Sequence, residues 1–451
     1  MQGTKDLTKG AIGRLLFMLA MPILATSFIQ LAYNLTDQLW VCRISSEAGA
    51  AVGAVSLLMW MSFSIHLLTK VGAEVSVGQS IGAKSVVDAK QFATHNITIS
   101  LIISVLLAST LFVFAEPIIA IYKLEQHIAN DAVEYMRIVV TALPFMFLTG
   151  VFTGIYNASG RSKIPFYISG SGLVMNMILD PLFIMGFDWG IKGAAYATWI
   201  SQVTVFAIFV YKIKYKDTLL GGFSFVGKLH CKYSLKVLKI GVPVAMLNTL
   251  FAFVNIFITR SASEQGGHTG AMTFTTGGQI EGITWSSSGG FSTALSSFVA
   301  QNYAAGKIGR VKKAWYTTLM ITSVFGALFT ILFVFFGNEI FSVFVPNEPD
   351  VYEAGGVFLR IDGYSQLFMM LEITMQGMFY GMGRTMPPAI VSISCNVMRI
   401  PLSILFVGLG MGVEGIWWAV CISTIAKGLL LLTWFFITRK QYFTVKTVIS
   451  D

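Results

Sequence analysis

The chain has 451 residues, of which 55% are hydrophobic and only 12% charged, and it carries a formal charge of +9; its mean hydropathy is +0.71. A soluble globular domain is about 25% charged, so this chain has about half the polar coat it would need. That excludes a soluble enzyme, a disordered protein and an ordinary nucleic-acid binder, whereas the 43 glycines and 36 phenylalanines suit helices packed closely in lipid.

A helix that spans a bilayer needs about 20 mostly apolar residues. Twelve such segments are predicted. The first covers 12–41 and is too long for a cleavable signal peptide. The next five cover 49–81, 91–115, 130–158, 164–186 and 193–212. A polar stretch rich in lysine and glycine follows. Six further segments cover 236–261, 269–303, 314–337, 352–382, 387–409 and 413–437. The expected organisation is an amino-terminal lobe (1–212), a cytoplasmic linker (213–235) and a carboxy-terminal lobe (236–451). Four scattered cysteines (Cys42, Cys231, Cys395, Cys421) have no metal-binding spacing and predict no disulfide framework.

Basic residues orient the spans. Six (Lys70, Arg137, Arg260, Arg360, Arg399, Lys427) lie deep in spans or at ends that cannot be placed. With the amino terminus in the cytoplasm, all the others except Arg43, Lys123 and Lys192 fall on the cytoplasmic side. This is the positive-inside bias. It predicts both termini in the cytoplasm and explains the basic excess as a face toward lipid headgroups.

The two halves repeat at an offset of 220–223 residues. Met21-Pro22-Ile23 falls on Val242-Pro243-Val244, Gln79 on Gln301, and Gly154–Arg161 on Gly377–Arg384. Asn176 and Pro181 fall on Asn396 and Pro401, and Gly190–Gly193 on Gly412–Gly415. An even number of spans per half makes this a parallel repeat, an architecture found in transporters that work by alternating access.

Several of these residues form a familiar pattern. Pro22…Tyr33-Asn34-x-x-Asp37 on the first span, Gly160-Arg161 and Gly383-Arg384 closing the fourth and tenth, Asn176-x-x-x-Asp180-Pro181 on the fifth, and Gly190-x-x-Gly-Ala-Ala opening the sixth resemble the multidrug and toxic compound extrusion (MATE) family over the whole chain. The resemblance is to its prokaryotic, DinF-like branch, with the cation site in the amino-terminal lobe. It implies an all-α membrane protein of twelve helices in two pseudo-symmetric six-helix lobes.

Within the repeat, Asp37, Asp180, Thr198 and Asn157 match Ile258, Ile400, Val420 and Tyr380. The first half keeps a polar group wherever the second has an apolar or aromatic one. A carboxylate at mid-membrane costs about 2.5–3.5 kcal/mol on insertion scales, so two acids without counterparts point to an ion site rather than to stability. Tyr33 and Asp37 share a helix face, as do Asn176 and Asp180. Pro22 and Pro181 each remove a backbone N–H and favour a bend. Two carboxylates among amide and hydroxyl oxygens suit Na⁺. They equally suit a proton, since burial and a neighbouring like charge favour the neutral form of a carboxyl group. The resemblance implies that Asp37, Asp180, Asn176 and Thr198 form such a site, with Tyr33 and Asn157 alongside and Na⁺ one candidate occupant. The structural alternative for Asp180 is a buried ion pair with Arg137.

In the second half a substrate-binding role is assigned to Glu281, Glu372, Tyr380 and Met375, with structural pairing of Glu281 to Arg260 and of Glu372 to Arg399 as the alternative. No phosphate loop, histidine-rich cluster or Ser/His/Asp set occurs. An enzyme is therefore not expected, and neither is a cofactor. The expected protein is a secondary exporter in a prokaryotic inner membrane. It would exchange hydrophobic, often cationic small molecules for H⁺ or Na⁺, as a monomer with lipid and no nucleic acid as its surroundings. The alternative within the same superfamily is a lipid-linked oligosaccharide flippase, which would gather Arg260, Arg360 and Arg399 around a pyrophosphate.

Overall fold

A computed structural model describes residues 5–217, 225–346 and 348–443; the 218–224 part of the predicted linker lies outside them. Among the described residues there is no strand. The helices are α1 (Ile12–Ile44), α2 (Ser46–Gly82), α3 (Val86–Val113), α4 (Ala115–Ala120), α5 (Gln126–Val140), α6 (Leu143–Ala158), α7 (Lys163–Pro181) and α8 (Gly190–Lys216). They continue with α9 (Cys231–Ala304), α10 (Ile308–Phe344), α11 (Pro349–Gly381), α12 (Met386–Phe406) and α13 (Gly412–Phe443). Short π-helical turns, Leu182–Gly186 and Val407–Met411, follow α7 and α12.

The α5–α6 pair is one span bent by 44°. α9 is two helices in sequence, broken at Gly267. With these two readings, and with the six-residue α4 set aside as too short to cross a bilayer, the described helices give twelve spans. α11 is as long as the rest but more polar, and it is not among the helices that qualify as spans by hydropathy.

The chain divides into two compact units. One takes residues up to Lys9 and Met18–Ala245, and the other Gly10–Phe17 and everything from Met246 onward. The first is built on Phe152, Tyr156 and Phe209, with a second cluster around Met136, Phe147 and Ala194. The core of the second centres on Phe358 and Trp417, and Phe274 stacks on Trp417 at 5.7 Å. Each buried aromatic removes a large apolar area from its surroundings, and tilted or offset pairs add to that. Outward positions carry apolar side chains such as Phe335 and Ile437, 72% and 76% exposed, as lipid contact requires.

The repeat is visible in the backbone. Ser45, in extended conformation between α1 and α2, falls on Gly267, which breaks α9. Phe114, which separates α3 from α4, falls on Phe336, where α10 leaves helical geometry. α6 and α11 end alike. Gly160 (φ +77°) and Gly383 (φ +73°) adopt left-handed conformations, and the amides of Arg161 and Arg384 bond back to the Tyr156 and Phe379 carbonyls, each at 2.9 Å. This is a Schellman-type end that favours glycine. Gly154 and Gly377 also share a purpose. A β-carbon on the first would collide with the Lys70 carbonyl, and one on the second with the Ser292 carbonyl, so α6 and α11 press close on equivalent partners. The correspondence fails at α5–α6. The chain turns at Thr141–Ala142 with Pro144 opening α6, whereas α11 runs unbroken.

Candidate functional site

In the first unit four helices converge polar groups. Tyr33 and Asp37 come from α1, Tyr135 from α5, Asn176 and Asp180 from α7, and Thr198 from α8. The Asn176 Nδ2 donates to Asp180 Oδ1 at 3.0 Å, and both residues are fully buried. Thr198 Oγ1 approaches Asp37 Oδ1 at 3.5 Å, the outer limit of a hydrogen bond. Asp180 lies within electrostatic range of Asp37, and the Tyr135 hydroxyl faces Asp37. The Tyr33 hydroxyl faces Thr198 and Gln202 without closing a hydrogen bond.

What this cluster lacks decides its chemistry. Asp180 Oδ2, Asn176 Oδ1, the Tyr33 hydroxyl and Ser201 Oγ are all buried and have no hydrogen-bond partner. Buried polar atoms are nearly always satisfied, and an exception calls for an explanation. Among the described residues no lysine or arginine acts on either acid. Arg137, the expected alternative partner of Asp180, instead reaches Glu116 at 2.9 Å on the exposed surface. Two acids and several open oxygens with no resident cation form a setting that a hard monovalent cation or a proton can complete.

Of the six residues expected here, Asp37, Asp180, Asn176, Thr198 and Tyr33 come together. Asn157 lies elsewhere. It is buried on the last turn of α6, with its side-chain carbonyl unpartnered, just before the turn into α7. Asn176 is 13 residues along α7, about 20 Å farther at 1.5 Å per residue. Tyr135 and Ser201 were not singled out in the sequence. The repeat carried a signal for Ser201, because Ser423 matches it. Pro22 sits within α1, where Thr26 Oγ1 donates to its carbonyl at 2.8 Å and Ser162 Oγ donates to the Leu19 carbonyl at 3.2 Å. Pro181 ends α7 at the π-helical turn.

The second unit treats its acids differently. Glu372 Oε2 is 3.3 Å from Lys427 Nζ, and both side chains are buried. Glu372 Oε1 accepts from Ser392 Oγ at 2.5 Å and from Gln376 Nε2 at 2.9 Å, and Gln376 in turn accepts from the Tyr380 hydroxyl at 3.3 Å. Arg399 donates to Ser423 Oγ at 2.8 Å and to Thr424 Oγ1 at 2.9 Å. Glu281 and Asp362 lie within electrostatic range of that guanidinium. The direct partner of Glu372 is thus Lys427 rather than Arg399. Arg260 is not the partner of Glu281, because it points outward to Glu264 at 2.8 Å. Met375 is enclosed and receives the Trp315 indole N–H at 3.0 Å on its sulfur.

The family model named MatE matches residues 22–182 and 240–405, both halves of the repeat. The chain belongs to the MatE family. Among its relatives are the probable multidrug resistance protein NorM of Thermotoga maritima, 24% identical over 93% of this chain and 91% of that protein, and the probable multidrug resistance protein YoeA of Bacillus subtilis, 26% identical over 86% of each. The fold is that of a solved MOP-superfamily transporter from Pyrococcus furiosus, with a TM-score of 0.92, 21% identity, and coverage of 99% of this chain and 100% of that one. As a MatE protein the chain is a multi-pass transporter of the inner membrane, and transporters of this family are in general ion-coupled antiporters. The flippase alternative is not favoured. Arg260 and Arg360 are exposed while Arg399 is buried against Ser423 and Thr424, so the three arginines do not gather around one ligand.

Proposed function

We propose that this MatE transporter exports hydrophobic, often cationic compounds in exchange for H⁺ or Na⁺, with the coupling ion at Asp37, Asp180, Asn176 and Thr198 and with Tyr33 beside it. One observation carries this reading: Asp180 is fully buried, one of its oxygens has no partner, Asp37 lies within electrostatic range of it, and among the described residues no basic side chain compensates either. Two adjacent carboxylates in a medium of low polarity repel one another, and a single cation or proton between them removes the repulsion. An ion drives transport only by binding two conformations with different affinity. Pro22 supplies the second conformation in this reading. It leaves the α1 backbone one hydrogen bond short, so a change in charge at Asp37 can bend the helix there.

Both termini are assigned to the cytoplasm, and residues 1–212 and 236–451 act as lobes joined by 213–235, consistent with the charge bias and the repeat. The transporter works as a monomer. For the substrate we assign Glu281 and Tyr380, which are half-buried. Glu372 and Met375 are held by internal contacts and shape the surroundings. The test is uptake of a fluorescent cation into inverted vesicles, energised separately by a proton and by a sodium gradient. One gradient should drive accumulation, and failure of both would overturn the antiport reading.

A further inference from the structure

We infer that a basic pocket at the adjoining ends of α10 and α13 binds the phosphate headgroup of an anionic phospholipid. A cavity of about 410 Å³ is lined by Lys312, Trp315, Tyr316, Arg439, Lys440 and Phe443. Lys312 lies in the second turn of α10, and Arg439 and Lys440 close α13, so cations of two helices converge on one space. Lys312 Nζ sits 4.7 Å above the Phe443 ring and the Arg439 guanidinium 5.2 Å from the Phe436 ring. The first contact holds Lys312 against a ring that lines the cavity, and the second steadies Arg439 against a neighbouring ring of α13. Among the described residues neither Lys312 nor Arg439 has an acidic partner. Lys312 and Arg439, cations from two helices facing one cavity, call for an anion, and the phosphodiester of a lipid headgroup is the anion abundant at this depth.

The surface beside the pocket identifies which phosphate. Tyr316, Met320 and Val324 stand one turn apart on the same face of α10 and are 53%, 67% and 66% exposed. They form an apolar track that leaves the pocket and runs toward the middle of the bilayer. A basic cavity continued by an exposed apolar helix face matches an amphiphile, whose head and acyl chain both find a partner. A free phosphate would use only the cavity. The charge bias assigns this end of the unit to the cytoplasm, where anionic lipids attract basic segments at about 1 kcal/mol per residue. Dispersed lysines give diffuse attraction of that kind, whereas a walled cavity gives a site. Trp315, 2% exposed and ringed by Phe435 at 4.7 Å and Tyr316 at 4.4 Å, keeps the floor rigid.

Native mass spectrometry of the full chain in detergent provides the test, with phosphatidylglycerol, phosphatidylcholine or glycerol phosphate added. The wild type should retain phosphatidylglycerol about tenfold or more better than phosphatidylcholine. Lys312→Gln/Arg439→Gln should lose that preference, while Lys214→Gln/Lys216→Gln, which removes the same charge at the end of α8, should keep it. A thermal melt without added lipid verifies that each variant is folded. Equal loss in the α8 variant would reduce the effect to diffuse charge and overturn the pocket. Displacement by millimolar glycerol phosphate would overturn the lipid assignment in favour of a free phosphate ligand. Transport activity enters neither outcome, so the result is independent of the coupling mechanism.

Discussion

Ser201 on α8 and Ser423 on α13 occupy the same position of the repeat. Both are buried, yet Ser201 Oγ has no partner while Ser423 Oγ accepts from the Arg399 guanidinium at 2.8 Å. The acids differ in the same sense. Asp180 has an open oxygen and no compensating base, whereas Glu372 is joined to Lys427 and to two further donors. One fold, duplicated, therefore holds its buried charge in two ways. In the second unit the cations are covalent parts of the chain and cannot leave. In the first, no lysine or arginine among the described residues acts on Asp37 or Asp180. A fixed ion pair contributes shape, whereas a site that can be filled and emptied can couple to a gradient.

The largest expected effect tests the open side of that comparison. Asp37→Asn and Asp180→Asn should each reduce gradient-driven efflux to background in inverted vesicles while the protein stays folded in the membrane. Asparagine keeps the volume and some hydrogen bonding but removes the charge on which ion binding depends. Undiminished transport by both variants would remove the reason for distinguishing the two units.

The next effect lies on the closed side. Lys427→Met leaves Glu372 buried without its partner, which typically costs about 3–5 kcal/mol. The melting temperature should fall sharply. Glu372→Gln/Lys427→Met should recover most of the loss, since replacing both members of a buried pair is often close to neutral. A silent Lys427→Met would mean that the pair is not the compensated structure described above. Arg399→Leu loses two charge-assisted hydrogen bonds, each worth about 1.5–3 kcal/mol, so its melting temperature should fall comparably, and it carries a sharper signature. The variant leaves Ser423, Thr424, Glu281 and Asp362 without the guanidinium, so millimolar methylguanidinium should raise its melting temperature and leave the wild type unchanged.

Much of this was legible before any coordinates. The length of the apolar segments predicted the twelve spans, and the repeat offset of about 222 residues relates breaks that hydropathy did not reveal, at Phe114 and Phe336. Apolar content locates a helix, but it does not register one residue leaving helical geometry. The paired motifs on α1, α7 and α8 brought five of six expected residues together, because a four-residue spacing fixes two side chains on one face. Asn157 was misplaced for a related reason: its match to Tyr380 fixes its position in the repeat but not its depth relative to Asn176 across a tight turn. Ion-pair partners were the least legible. Arg137, Arg260 and Arg399 were each weighed as an alternative partner for an acid in the same half, and each found a different neighbour. Sequence lists the charges in a half, while the rotation of each helix decides which of them meet.

The smallest effect is also the most discriminating, because it compares matched residues of one type. Asn176 and Asn396 share a position in the repeat, both are buried, and both leave a side-chain oxygen without a partner. Only Asn176 donates to a carboxylate, at 3.0 Å; the position that matches Asp180 holds Ile400. Removing a hydrogen bond to a charged group costs about 1.5–3 kcal/mol. Asn176→Ala also removes an open oxygen ligand, so it should weaken Na⁺-dependent protection of the protein against heat by about tenfold or more, whereas proton binding should not weaken, because the lost donor favoured the ionised carboxylate. Asn396→Ala should leave ion protection unchanged and shift only the baseline melt. If the two substitutions moved ion protection equally, the asparagines would be packing groups in both units, and the asymmetry would rest on the two aspartates alone.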